Sequence, residues 1–149
     1  MTATGPYGTH SYSYNAIGNI LTKAGVTYSY GATAQTCSRL MPHAVTGTSD
    51  GKSYSYDCNG NLSADGERTL TWDADNKPVS ITRTGVGTTT FAYSGDGARV
   101  KKVGPTRTVR YVGTYEDQIT DAVKVKHILA GSLRVATRVS GGPNAGTYF

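Results

Sequence analysis

The sequence predicts an all-β chain of tandem antiparallel β-hairpins, joined into one long, strongly twisted sheet. Three observations lead there. Apolar and polar residues alternate with a period of two, as in Val123, Val125, His127 and Leu129 against Lys124 and Lys126. Glycine, asparagine and aspartate interrupt these runs at short intervals, and the chain carries 19 glycines and 11 tyrosines. Finally, one short pattern recurs: two aromatic residues at i and i+2, followed at once by an aspartate or asparagine turn.

The clearest copy is Tyr54-Ser-Tyr56-Asp57-Cys58-Asn59-Gly60-Asn61-Leu62. Tyr54 and Tyr56 project from one face of a strand. Asp57 opens a turn in which Asn59-Gly60 supplies φ > 0, and Leu62 starts the return strand. Tyr12-Ser-Tyr14-Asn15-Ala-Ile-Gly18-Asn19-Ile20 matches it position for position. Leu70-Thr-Trp72-Asp73 followed by Asp75-Asn76, and Phe91-Ala-Tyr93-Ser94 followed by Asp96-Gly97-Ala-Arg99, are further copies, and Tyr28-Ser-Tyr30 is a worn one. The second aromatics stand at 14, 30, 56, 72 and 93, in steps of 16, 26, 16 and 21. Such an irregular period fits stacked supersecondary units, each too small to bury its own face.

In order, residues 1–11 read as a loose entry punctuated by Gly5-Pro6 and Gly8. Ser11–Tyr14 and Ile20–Lys23 form the first strand pair, and Val26–Tyr30 follows the Gly25 break. Residues 31–44 are the least regular, and Pro42 biases Met41 towards an extended loop. Lys52–Tyr56 and Leu62–Ser63 frame the organising turn, Arg68–Trp72 and Pro78–Thr82 the next, and Thr88–Tyr93 and Arg99–Val103 the fourth. Arg107–Val112, Tyr115–Ile119, Val123–Leu129 and Ser132–Val139 read as further strands. Gly141-Gly142-Pro143-Asn144 closes the last hairpin before Thr147–Phe149. The chain therefore divides into an entry (1–11), repeat hairpins (12–103) and C-terminal hairpins (104–149), with no helical stripe.

The chain resembles the tyrosine-aspartate (YD) repeats of Rhs proteins, which also occur in teneurins and in the shell subunits of Tc toxins. Beyond the repeats, the resemblance rests on Pro42-His43-Ala44-Val45, Arg99-Val100-Lys101-Lys102, Tyr111-Val112-Gly113 with Tyr115-Glu116, and Arg134-Val135-Ala136. The structural motif comprises Tyr12, Tyr14, Gly18, Asn19, Tyr54, Tyr56, Asp57, Gly60, Asn61, Trp72, Asp73, Tyr93, Asp96, Gly97 and Arg99. The resemblance implies a scaffold: a segment of a hollow β-shell around a C-terminal toxin or other cargo. The family's closing motif would be expected just beyond Phe149. It also implies partners, namely the rest of a parent Rhs polypeptide and its cargo, and a bacterial-type parent that is exported or displayed at the cell surface. A second reading is a β module binding a glycan or receptor, with Tyr28, Tyr30, Tyr111 and Arg134 as candidate contacts. A third is a polysaccharide-acting enzyme with a dispersed site.

Little in the sequence favours catalysis. His10, His43 and His127 are isolated, and no motif supplies an activated nucleophile or paired carboxylates. Asp57-x-Asn59-x-Asn61 and Asp73-x-Asp75 resemble the start of a calcium loop but never reach its bidentate glutamate. No catalytic, cofactor-binding or metal-binding residue is therefore assigned, and no cofactor is expected. Cys37 and Cys58 make neither a disulfide framework nor a zinc site, which leaves free thiols as the expectation. The formal charge is +5, with 9 Lys/Arg against 3 Asp/Glu in residues 98–149. Without a basic helix this reads as solvation of strands, and no nucleic-acid partner is expected. No run is long enough to span a membrane, and Met1-Thr-Ala-Thr-Gly-Pro lacks the regions of a signal peptide. Unpaired edges and thin burial lead to an expectation of self-association, as a homodimer or larger.

Overall fold

The structure is a computed structural model that describes residues 1–33 and 39–149. It is all-β. By hydrogen bonding the strands fall into two antiparallel sheets, one of five strands within residues 2–48 and one of eleven strands within residues 55–148, with sequential strands adjacent in each sheet. Two sheets thus stand where the sequence suggests one. Contacts along the chain define two compact units, residues 1–76 and 77–149.

The first unit holds β1 (Thr2–Gly5), β2 (Gly8–Tyr14), β3 (Ile20–Lys23), β4 (Val26–Thr33), β5 (Leu40–Thr48), β6 (Ser55–Tyr56), β7 (Leu62–Ala64) and β8 (Arg68–Trp72). The entry is a correction to the sequence reading. Residues 1–11 are not loose: Gly5 pairs with Gly8, so Pro6-Tyr7 is a two-residue turn. The glycines read as punctuation are the two ends of that turn. The Met1 amino group donates to Tyr12 O at 3.0 Å, and Tyr7 stacks on His10 with ring centroids 5.5 Å apart.

The irregular stretch 31–44 is also corrected on both flanks. β4 runs on to Thr33 and pairs with β5, which begins at Leu40 and continues through Pro42. Proline tolerates this extended backbone, because its fixed φ suits it and only the N–H is lost. Between β5 and β6 the ladder thins to a single bridge, Gly47 with Ser53. Cys58 is disulfide-bonded, which overturns the expectation of free thiols for that residue. A cysteine needs only a near neighbour in space, and sequence spacing does not reveal one. Cys37 lies outside the described residues.

The second unit holds β9 (Pro78–Arg83), β10 (Gly87–Tyr93), β11 (Arg99–Val103), β12 (Thr108–Val112), β13 (Tyr115–Gln118), β14 (Val123–Ala130), β15 (Leu133–Ser140) and β16 (Gly146–Tyr148). A 3-10 turn at Ile119–Asp121 replaces the expected end of the strand, and Ala122 leaves it in the left-handed region at φ 53°. Burial alternates strictly along β10, from Thr89 through Phe91 to Tyr93, as one-sided packing requires.

Neither unit has a deep core. Among the described residues only Val109, Ala136 and Asn19 are buried. Most large apolar residues are half-buried or exposed within their own unit.

Candidate functional site

The recurring feature among the described residues is a turn. In the first copy the Asn15 N–H donates to Asn19 O at 2.9 Å and the Gly18 N–H to Asn15 O at 3.1 Å. Asp57 and Gly60 do the same, to Asn61 O at 2.9 Å and Asp57 O at 3.1 Å. Ser94 and Gly97 repeat it at 2.9 Å each. The last turn residue is left-handed each time: Gly18 at φ 82°, Gly60 at 88° and Gly97 at 82°. The copy without glycine puts Asn76 there at φ 60°, and its N–H donates to Asp73 O at 3.1 Å. Asparagine is the residue other than glycine that best tolerates this region.

The acidic or amide side chain caps the turn from inside. Asp57 Oδ1 accepts from the backbone N–H of Asn59 at 2.9 Å and of Asn61 at 2.8 Å. Its Oδ2 accepts from Asn61 Nδ2 at 3.0 Å. Asn15 Oδ1 plays the same part towards Ile17 and Asn19 at 3.1 and 2.9 Å, and Asp73 Oδ1 towards Asp75 at 3.0 Å. In the fourth copy Asp96 takes over the role, accepting from the Ala98 N–H and pairing with Ser94 Oγ. Desolvation pushes the Asp57 carboxyl up, but the bonds from Asn61, Asn59 and Gly60 outweigh it and hold it below the usual carboxylate range. The Ser94 hydroxyl holds Asp96 low in the same way.

The second aromatic of a copy is spent on its neighbour. Tyr30 Oη donates to Ile20 O at 2.8 Å, Trp72 Nε1 to Leu62 O at 2.8 Å, and Tyr93 Oη to Pro78 O at 2.9 Å. Ile20, Leu62 and Pro78 each lie six residues past the second aromatic of the preceding matched copy, at the first residue of the return strand. Tyr56 Oη donates to Val45 O at 2.9 Å in β5. Burial pushes the Tyr56 phenol up, in keeping with a proton held between strands. Tyr14 is half exposed and makes no such bond among the described residues.

Side chains also link one turn to the next. Asn59 Nδ2 and Asn61 Nδ2 both donate to Asn76 Oδ1, at 2.9 and 2.7 Å. Asn19 Nδ2 donates to Pro42 O at 2.8 Å, and its Oδ1 lies 2.6 Å from His43 Nδ1. These links are invisible to local spacing, because the partners stand 15 to 24 residues apart.

The candidate ligand contacts divide between the two units. Tyr28 stands opposite Thr48, Tyr30 is committed to Ile20, and both belong to the first unit. In the second unit the Arg99 guanidinium lies 4.6 Å from the Tyr111 ring centroid, and its Nη2 donates to Tyr111 Oη at 3.2 Å. Arg134 Nη1 lies 3.4 Å from His127 Nδ1. His127 Nε2 is 3.5 Å from Glu116 Oε1, a pair the sequence reading missed because β13 and β14 meet only through register. Tyr12 stands opposite Lys23 in β3. Tyr54 lines an open cleft of about 620 Å³ in the first unit, whose charges are largely paired: Asp50 with Lys52 at 3.3 Å and Asp65 with Arg68 at 2.5 Å. No group of three metal-ligating side chains occurs among the described residues.

No family model matches the chain. Over 93 residues it is 33% identical to the tRNA3(Ser)-specific nuclease WapA of Bacillus spizizenii and 32% identical to the tRNA nuclease WapA of Bacillus subtilis. The matched stretch is 61% of this chain but 4% of each relative. The likeness is to a small segment of much larger proteins.

Proposed function

We propose that the chain is a structural scaffold, a wall segment of an Rhs-type β-shell built from YD repeats, whose task is to enclose a toxin or other cargo. The observation that carries this reading is the internal use of the repeated side chains. Aspartates that could bind a metal or act as bases accept backbone N–H bonds within their own turns. Aromatics that could stack on a ligand donate to the preceding strand. Repetition of that kind builds a surface of uniform register, and a single ligand site requires no repetition. The partial likeness to large nucleases fits a wall that accompanies a toxin elsewhere in a longer polypeptide.

The experiment is electron cryomicroscopy of the longer polypeptide in which this sequence occurs. The expected result is a closed wall with these hairpins as consecutive rungs. A pendant module outside any enclosure would overturn the reading.

A further inference from the structure

Register gathers five cations of the second unit on one face. Lys101, Arg110, Asp117, Lys124 and Ser140 stand directly opposite one another across β11 to β15. Val112, Tyr115, Lys126 and Arg138 form the adjacent row across β12 to β15. Residues two apart along a strand share a face, so both rows lie on the same side of the sheet. That side carries five cations and one acid. The opposite side presents Val109, Val123, Val125 and Val139, all buried or half-buried, together with half-buried Lys102 and Glu116, which stand opposite Val109 and Val125.

Two of the cross-strand pairs are like-charged, Lys101 opposite Arg110 and Lys126 opposite Arg138. Like charges directly opposite one another destabilise a sheet. Solubility alone is served as well by mixed signs, which would carry no such cost. The bias is regional: residues 77–149 hold 11 Lys/Arg against 4 Asp/Glu, whereas residues 1–76 hold 4 against 6. Lys101, Arg110, Lys124 and Arg138 are exposed, and none forms an ion pair with a described residue. Among them Tyr115 is 46% exposed, with Lys126 Nζ 5.3 Å from its ring centroid.

We propose that this face binds single-stranded nucleic acid, with Lys101, Arg110, Lys124, Lys126 and Arg138 on phosphates and Tyr115 stacked on a base. The sequence reading expects no such partner, because it sees no basic helix; register gathers five cations onto one sheet face instead. A single strand is flexible enough to follow a twisted surface, and every base offers a ring to Tyr115. An acidic peptide or an anionic membrane would use the cations but gives the tyrosine no comparable role. The inference goes beyond the scaffold reading and does not rest on it.

The test is fluorescence anisotropy of a labelled short oligouridine titrated with the full chain. Five phosphate contacts predict a loss of affinity of about 100-fold between about 50 and 200 mM salt, from a slope of about 0.7 per contact. Tyr115→Ala should weaken oligouridine binding about 5- to 100-fold and leave binding of poly-glutamate unchanged. Lys101→Glu should weaken binding and at the same time raise the melting temperature, because it turns a repulsive pair with Arg110 into an attractive one. Lys23→Glu, in the first unit, should change neither. Absence of oligouridine binding at low salt overturns the proposal. So does equally tight binding of poly-glutamate or of vesicles rich in anionic lipid, and so does an unchanged affinity in Tyr115→Ala.

Discussion

Asp57 concentrates the chemistry of the repeat into one side chain. Its two oxygens accept three bonds, two from the backbone N–H groups of Asn59 and Asn61, which the tight turn would otherwise leave unpaired, and one from the Asn61 side-chain amide. Asp57→Ala should cost about 1–2 kcal/mol, read by chemical denaturation, the range for losing a capping acceptor. Asp57→Asn keeps the Oδ1 acceptor that Asn15 already provides in the first copy, so it should cost less. The two carboxamide and carboxylate forms differ in titration. Asp50, Asp57, Asp65 and Asp96 are all held below the usual range, Asp50 mainly by the Thr48 hydroxyl and Asp65 mainly by the Arg68 side chain. A depressed carboxyl contributes stability that is fully present above its unfolded value of about 3.9 and is lost as pH falls through the lower folded value. Melting temperature should therefore fall below about pH 4, and less steeply in Asp57→Asn than in the parent. An identical acid profile in the two proteins would contradict this account of the turn. Gly60 makes the complementary case. Its φ of 88° strains any β-branched residue, while a Cβ there would meet only Met41 Sδ at 3.8 Å, an ordinary contact. Gly60→Val should cost about 1–3 kcal/mol through backbone strain. Gly60→Asn should cost clearly less, because Asn76 holds the same turn position.

At the scale of the hairpin, the bond from the second aromatic to a backbone carbonyl ties one unit to the one before it. Tyr93→Phe removes the donor to Pro78 O and keeps the ring, so it isolates that tie. The expected cost is about 0.5–1.5 kcal/mol in denaturant unfolding, and a neutral result would show that water replaces the phenol without loss. The hairpins themselves are legible in the sequence where local rules decide them. Asp57, Gly60 and the alternation along β10 and β14 depend on neighbours a few residues away. The ties to Ile20, Leu62 and Pro78 depend on register between strands, which no single segment encodes, and so do Asn19 with His43 and Glu116 with His127. The entry escapes local rules for another reason. Gly5, Pro6 and Gly8 are equally at home in a loose chain and in a two-residue turn, and the pairing of Thr2–Gly5 with β2 decides between them. β5 was obscured by Pro42 and by its polar beginning, although an extended backbone accommodates both.

Taken whole, the molecule is stabilised by rungs more than by a centre. Only three described residues are buried, and Leu129, Leu133, Val135, Tyr148 and Phe149 remain exposed at the C-terminal hairpins. Thin burial of this kind leaves the stability of each unit to its ladders and turns. The sheet faces differ in character within the second unit, one half-buried and rich in valine, the other cationic. The most direct measurement of the proposed scaffold role is protease protection in a longer polypeptide that joins this sequence to a cargo. Cargo enclosed by the wall should resist digestion that rapidly cleaves the same cargo expressed alone, and Asp57→Ala combined with Tyr93→Phe should speed its cleavage. Cargo cut equally fast with and without the wall would contradict the central claim.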